Sequence, residues 1–293
     1  MSWLQLLINT PAEQVDAISD SLTELGALSV TWQDAADEPV YEPPLNTTPI
    51  WQTTRIVALF EEDTDPESLL LQLHAILPTD ISLSYELQRL ADQEWTRVWM
   101  SDFHPMCFGQ RLWICPSWTP PPNPDAINIL LDPGLAFGTG THATTALCLE
   151  WLDQQGDLTG KTVIDYGCGS GILAIAAAKL GACENWAVDI DPQALLATRD
   201  NAAQNGVAAT IHTCLPEAFS PLQADILLAN ILANPLVSLA STFAKFVKSG
   251  APIVLSGILQ EQAEMVKTAY AVYFDQLSIT EKAGWVRIVG YKR

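Results

Sequence analysis

The sequence predicts an α/β protein in two parts: a small ferredoxin-like α+β domain over 1–90, and a doubly wound, mostly parallel sheet over 108–293. A linker over 91–107 joins them. Three observations carry this. The front third reads strand-helix-strand-strand-helix-strand, the ferredoxin-like order. From Ile127 onward short apolar runs alternate with helical patterns, the signature of a parallel sheet buried on both faces. One of those runs empties into a turn with glycine at every second position, Gly167, Gly169 and Gly171, where doubly wound folds bind ligands.

In the front domain, Trp3–Ile8 alternates like a strand. Pro11–Leu25 follows as a helix, with Val15, Ile18, Leu22 and Leu25 on one face and Gly26 as its stop. Ala27–Trp32 is a second strand, and the polar, proline-bearing stretch Asp34–Pro49 leads to a third over Arg55–Phe60. Asp65 caps the helix Pro66–Leu77, whose first residue is proline, and Ile81–Leu87 alternates again. Such a module carries no chemistry by itself; it is either a recognition domain or a structural appendage. Asp92–Asp102 predicts a short helix with Trp95 and Trp99 packing on one face, and Phe108–Trp118 resembles a strand. Thr119–Ala126 (TPPPNPDA) is a surface loop, because its four prolines fix φ and remove donors.

In the second part, strands are expected at Ile127–Leu131, Thr162–Tyr166, Trp186–Ile190, Ala209–Thr213, Ile226–Asn230 and Pro252–Ser256. Helices lie between them at 142–154, 171–180, 192–205, 235–248 and 259–270. The tail Leu277–Tyr291 suggests two strands turning at Lys282–Gly284, an antiparallel edge.

Composition narrows the function. A hydrophobic fraction of 48% and a mean hydropathy of +0.15 allow an ordinary core in 293 residues. No apolar stretch is long enough for a membrane span: the richest, Ile226–Leu239, is broken by Asn230, Asn234 and Pro235. MSWLQLLINT lacks a basic leader and a cleavage site, so no signal peptide is expected. The six cysteines are scattered and the four histidines show no ligand spacing, which argues against disulfides and metal and fits a reducing cytoplasm. Net charge is −20, and residues 1–102, with 18 acidic and three basic residues, carry three quarters of it. That surface repels phosphate backbones and attracts basic partners, unless it serves only solubility. Nucleic acid is disfavoured as a direct ligand either way.

The strongest local signal is VIDYGCGSGIL (163–173): strand, glycine turn, helix. Glycine lets the chain turn sharply against a ligand, and the helix start adds amide donors and partial positive charge. The spacing is G-x-G-x-G, not the G-x-G-x-x-G that dinucleotides need. It suits S-adenosyl-L-methionine, which has no phosphate. Asp165 precedes the first glycine, near the expected methionine ammonium. Asp189, 22 residues beyond Gly167, stands where a carboxylate can accept both ribose hydroxyls. Asp191 and Pro192 are more cheaply explained as cap and first residue of the next helix. An NAD-binding Rossmann domain is the main competitor for this motif.

The segment 132–145 (DPGLAFGTGTHATT) has three glycines and four threonines, too polar for core. Thr141 can cap the helix starting near His142, and Thr145, one turn in, would face the glycine turn if the two helices are neighbours. Phe137 can cover a face of the cofactor, and Gly138 beside it is counted with the binding residues. His142 is a remote candidate base, and a plain loop and cap is the alternative for the segment. The strand Asp225–Asn230 runs into Asn230-Ile-Leu-Ala-Asn-Pro235. An asparagine amide at a strand's carboxyl end can hold an amine by its oxygen, which makes Asn230 the catalytic candidate; capping the next helix is its plainer role. Methyl transfer is a direct displacement, so alignment and dryness matter more than a strong base.

With these residues assembled, the chain closely resembles the bacterial ribosomal protein methyltransferases that modify large-subunit protein eleven (L-eleven). The likeness runs over essentially the whole length, through FHPMCFGQRLWICPSW (103–118), LDPGLAFGTGTHATT (131–145), IDYGCGSGILAIAAAKLGA (164–182), VDIDPQAL (188–195) and ANILANPL (229–236). The second and last of these are far more specific than the glycine turn, which all class I methyltransferases share. The resemblance implies a class I methyltransferase fold and methylation of lysine and N-terminal amines, commonly to the trimethyl state. It implies cofactor contacts at Thr145, Gly167, Asp189 and Asn230. It further implies a front domain that binds the substrate protein and swings through the 91–107 linker. Ribosomal proteins are basic, so the charge asymmetry suits this independently. Asn234 departs from the glycine expected there and alters a helix start.

Rival readings each lack a feature. An RNA or DNA base methyltransferase needs a basic stripe. A release-factor glutamine methyltransferase would end this strand in N-P-P-Y. A small-molecule enzyme does not explain a separate acidic domain, and a non-catalytic scaffold does not explain the intact glycine turn with Asp189. Nothing in the sequence demands more than a monomer.

Overall fold

A computed structural model describes residues 2–36, 50–78, 81, 83–90, 103–132, 142–219 and 223–293. The chain divides into two compact units, 1–100 and 101–293. The helix expected at Asp92–Asp102, with Trp95 and Trp99, lies outside the described residues.

The first unit is built on strict alternation. Strand β1 (Trp3–Pro11) buries Leu4, Leu6 and Ile8 on one face, and β3 (Thr53–Glu61) pairs with it antiparallel so that Ile8 lies opposite Ile56 and Leu4 opposite Phe60. With β2 (Ser29–Asp34) and β4 (Ser84–Leu90) the sheet order is β2-β3-β1-β4, antiparallel throughout, the ferredoxin-like arrangement. Helices α1 (Val15–Glu24) and α2 (Pro66–Ile76) complete a core of Val15, Ile18, Leu22, Leu69 and Leu73 against that face. The carboxylate of Asp65 accepts from the Ser68 amide, so α2 starts where the sequence places it. Several boundaries move, β2 among them, which runs Ser29–Asp34 where Ala27–Trp32 was expected. Pro11 stays extended (φ −63°, ψ 155°) as the last residue of β1, and a 3-10 turn precedes α1 at Val15. Strand β4 begins at Ser84 rather than Ile81 and runs to Leu90.

The second unit opens with a small sheet of its own, β5 (Met106–Phe108), β6 (Leu112–Cys115) and β7 (Ile127–Leu130). The expected single strand over Phe108–Trp118 is therefore a hairpin turning at Gly109. Moreover, the apolar run after Ile127 does not join the large sheet but pairs parallel with β6. Asp153 (7% exposed), at the end of helix α3 (Ala143–Gln154), accepts from the Gln110 amide at 2.7 Å and from Arg111 Nε at 3.2 Å, which ties the hairpin down.

The seven-stranded sheet contains β8 (Thr162–Tyr166), β9 (Glu184–Val188), β10 (Ile211–Cys214), β11 (Ile226–Asn230), β12 (Pro252–Leu259), β13 (Phe274–Lys282) and β14 (Trp285–Lys292). Its order is β10-β9-β8-β11-β12-β14-β13, with every strand running the same way except β14, which is antiparallel to both its neighbours. Helices α3, α4 (Ile172–Lys179) and α5 (Pro192–Gln204) lie on one face, and α6 (Ala233–Phe246) and α7 (Ala263–Tyr270) on the other. Alternate residues of one strand feed the two cores: Leu228 packs with Cys148 and Ile172, Leu227 with Leu236 and Phe243. Strand β9 ends at Val188, two residues short of expectation. Asp189 Oδ1 accepts from the Asp191 amide there, and the chain turns out, leaving Ile190 80% exposed. Helix α6 starts at Ala233, because Pro235 within its first turn gives up an amide that has no intrahelical partner anyway. Among the described residues no helix is long and apolar enough to cross a membrane.

Candidate methyl-transfer site

The order reverses between β8 and β11, and chemistry in doubly wound folds sits at the carboxyl ends of the strands flanking that reversal. The glycine turn leaves β8 there. The amides of Gly167 and Cys168 donate to the Val188 carbonyl at 2.7 and 3.1 Å, which bends the chain over the end of β9. Gly167 has φ +78°, and a Cβ on it would run into the side chain of Ile231, so this position requires glycine for both turn and clearance. Gly171 is the N-cap of α4.

Both acids are engaged. Asp165 is 1% exposed; its Oδ2 accepts from the Ala174 amide at 3.0 Å, satisfying a donor in the first turn of α4. Its Oδ1 is buried with no hydrogen-bond partner among the described residues, and burial, reinforced by the charge of Asp189, pushes the carboxyl pKa up to about 7. Asp189 Oδ2 accepts from the Gly169 amide at 2.9 Å while Oδ1 takes Asp191, so the turn orients the carboxylate and leaves lone pairs on both oxygens. Asp191 caps α5 through Gln193, the plainer of its two readings.

Opposite the turn, Asn230 ends β11, and its Nδ2 donates to Oγ1 of the buried Thr145 at 3.3 Å. Leu232, not Asn230, is the N-cap of α6, so the asparagine is free of the capping role. The cap of α3 is His142, whose Nδ1 meets Oγ1 of Thr144 at 2.8 Å; this corrects the expected Thr141, which lies outside the described residues together with Phe137 and Gly138. Partial desolvation lowers the proton affinity of His142.

Several polar residues that hold the site carry no motif. Thr198 Oγ1 donates to the Gly169 carbonyl at 3.0 Å and Asn201 Nδ2 to that of Ser170 at 2.9 Å, so one face of α5 clamps the turn. Their spacing of three on a helix facing the turn was the available signal. Ser256, fully buried and paired in register with Asn230, hydrogen-bonds the Thr144 carbonyl at 3.1 Å. Gly257 (φ +82°) packs against the backbone of Ile231, and a Cβ would stand 2.8 Å from its carbonyl carbon. A Ser-Gly pair inside an otherwise apolar strand was the signal for both.

A doubly wound sheet with this order, a G-x-G-x-G turn after its first strand and an acid after its second define a class I, S-adenosylmethionine-dependent methyltransferase. The residues fit that cofactor: a cradle closed to side chains at Gly167, an oriented carboxylate on Asp189 after the second strand, and a buried carboxylate oxygen on Asp165 that has no partner among the described residues and calls for a cation. Comparison with known proteins then gives the family. The sequence model described as Ribosomal protein L11 methyltransferase (PrmA) matches residues 2–293, and the chain belongs to that family. It is 55% identical over 294 residues to the ribosomal protein L11 methyltransferase of Pseudomonas syringae pv. tomato, covering 100% of both chains. To that of Sodalis glossinidius it is 53% identical over 296 residues, again covering 100% of both. A crystal structure of ribosomal protein L11 methylase from Lactobacillus delbrueckii subsp. bulgaricus superposes with a TM-score of 0.58 at 31% identity, covering 65% of this chain and 98% of that one.

Proposed function

We propose that the chain transfers methyl groups from S-adenosylmethionine to lysine and N-terminal amines of ribosomal protein L11. One observation supports the chemistry above others: Asn230 is held by its amide nitrogen on buried Thr145, which leaves its oxygen to accept from an incoming amine. Bound S-adenosylmethionine supplies an electrophilic methyl on a sulfonium centre. Gly167, Gly169, Gly171, Asp189 and Thr145 would hold the cofactor, Asp165 would meet its ammonium, and Phe137 and Gly138 are counted with the binding residues on their sequence pattern alone. Asn230 aligns the amine. A substrate ammonium loses its proton to solvent before attack, and the nitrogen of the neutral amine presents its lone pair to the methyl carbon. No residue is then required as a strong base.

The acidic front domain, 1–90, recognises the substrate, and the 91–107 linker lets it present different amines to the catalytic domain, 108–293. Its excess of 18 acidic over three basic residues across 1–102 complements a basic ribosomal protein and disfavours nucleic acid. The enzyme works as a monomer in the cytoplasm. The test is transfer of labelled methyl to separated ribosomal proteins and, in parallel, to ribosomal RNA. Label on L11 amines by mass spectrometry is the expected outcome; label on RNA alone, or none, rejects the assignment.

A further inference from the structure

Strands β12 and β14 lose register beside Asn230. Leu255 pairs with Ile288 and Ile258 with Val286, so Ser256 and Gly257 together stand against the single residue Arg287. A bulge of this kind re-aims the side chains that flank it. Ser256 is fully buried and Arg287 8% exposed, and both reach the same helix. The Ser256 hydroxyl donates to the Thr144 carbonyl at 3.1 Å, and Arg287 Nη1 donates to the Leu147 carbonyl at 2.7 Å. Residues 144 and 147 are neighbours along one side of α3, three positions apart near its start. Arg287 is braced in turn by Nη2 on Thr280 Oγ1 of β13 at 2.9 Å, while its Nε has no partner among the described residues.

Stability alone does not account for the pair. Both carbonyls lie inside α3, where the helix ladder already supplies a donor. A buried guanidinium carries a desolvation cost that an apolar side chain of similar volume avoids. What the two contacts add is position, because a helix held at two carbonyls from one bulge cannot slide along the sheet.

That position matters through the residue between them. Thr145 follows Thr144 and takes Nδ2 of Asn230 at 3.3 Å. Asn230 stands in register with Ser256, so two neighbouring strands hold two adjacent residues of α3. The first turn of a helix lacks part of its backbone bonding and frays most readily. Drift of that turn would carry the Thr145 hydroxyl away from Asn230 and turn the amide oxygen off the amine.

We propose that Ser256 and Arg287, set by the bulge, are positioning residues for methyl transfer, acting through α3 and Thr145 to fix the orientation of Asn230. This rests on the amine-methylating reading above. Their effect falls on the rate of transfer rather than on the docking of L11, since neither is asked to touch the substrate.

The experiment measures methyl transfer to purified L11 at saturating S-adenosylmethionine with wild type, Ser256→Ala, Ser256→Thr and Arg287→Leu, each alone and on an Asn230→Ala background. Ser256→Ala should lower kcat about tenfold or more and leave KM for L11 within about twofold. Ser256→Thr, which keeps the hydroxyl, should restore most of the rate. With Asn230 already replaced, Ser256→Ala should change kcat by less than about twofold, because the two residues serve one alignment. Arg287→Leu should follow the same pattern, and the Ser256 variants decide the matter if it does not fold. An unchanged kcat in Ser256→Ala, or the same loss with and without Asn230, overturns the proposal alone. Absence of any amine label with the wild type overturns the reading and the proposal together.

Discussion

The carboxyl group of Asp165 should make the ligand-free enzyme less stable as pH rises, and the size of the effect follows from its surroundings. The group is 1% exposed, one oxygen accepts from the Ala174 amide and the other has no partner among the described residues, and its pKa is raised from 3.8 to about 7. A pKa raised on folding means that the folded state holds its proton more tightly than the unfolded state. The stabilisation is complete below about pH 4 and is lost as pH climbs through 7. A shift of about three units corresponds to about 4 kcal/mol at most. Many other acids titrate in the same window, so the informative quantity is a difference. Asp165→Asn keeps an acceptor for Ala174 and cannot ionise. Relative to wild type it should gain about 4 kcal/mol between pH 4 and pH 8, about 10 °C in melting temperature for a domain of this size. On the proposed pairing of Asp165 with the cofactor's ammonium, saturating S-adenosylmethionine should stabilise wild type at pH 8 far more than the variant. Thermal denaturation across that range, with and without cofactor, measures both effects. A difference between the two proteins that does not change with pH would refute the reasoning.

Other consequences are equally direct. Asp189→Ala removes the proposed acceptor for the ribose hydroxyls and takes a partner from the Gly169 and Asp191 amides; calorimetry should show S-adenosylmethionine binding weakened about 100-fold, and near-normal affinity would reject the assignment. Gly257→Ala places a Cβ against the Ile231 backbone at a left-handed position, so denaturant unfolding should show a loss of about 2–4 kcal/mol, together with reduced turnover as Asn230 shifts. Asp153→Ala strands the Gln110 amide and takes the carboxylate from Arg111, which keeps the carbonyls of residues 153 and 156, and should cost about 1–3 kcal/mol in the same assay without altering cofactor affinity. Asn230→Asp sets a carboxylate beside the amine and raises the amine's pKa by about one to three units; kcat at neutral pH should fall at least tenfold and its pH profile should move to the alkaline side.

What the sequence made legible depended on how local the cause was. Strands β8 and β11 begin and end where expected, since each is a short, mostly apolar run bounded by polar residues or glycine. Helices α2 and α5 start at their Asp-Pro signals, because capping is settled within four residues. Sheet membership is not local. The run after Ile127 reads like any other buried strand, and only the hairpin at Gly109, with Asp153 clamping its turn, takes it into a different sheet. Polar contacts over long separations were hidden for the same reason: Ser256 reaches Thr144 across 112 positions and Arg287 reaches the Leu147 carbonyl across 140. The glycine turn announced itself, whereas the α5 face that holds it did not.

The placement of charge around the site has a chemical logic. Both carboxylates, Asp165 and Asp189, approach the glycine turn, and the group at the end of β11 is a neutral amide. A cofactor carrying an ammonium and a sulfonium is a cation, and carboxylates on its side attract it. The amine must arrive uncharged, and a carboxylate beside it would stabilise the protonated form, which has no lone pair to give. An amide accepts from N–H without that penalty. Asn230 tied to Thr145 by one end is thus suited to transfer in a way that aspartate at the same position would not be, and a cluster of acids surrounding the whole pocket would bind the cofactor while slowing the reaction.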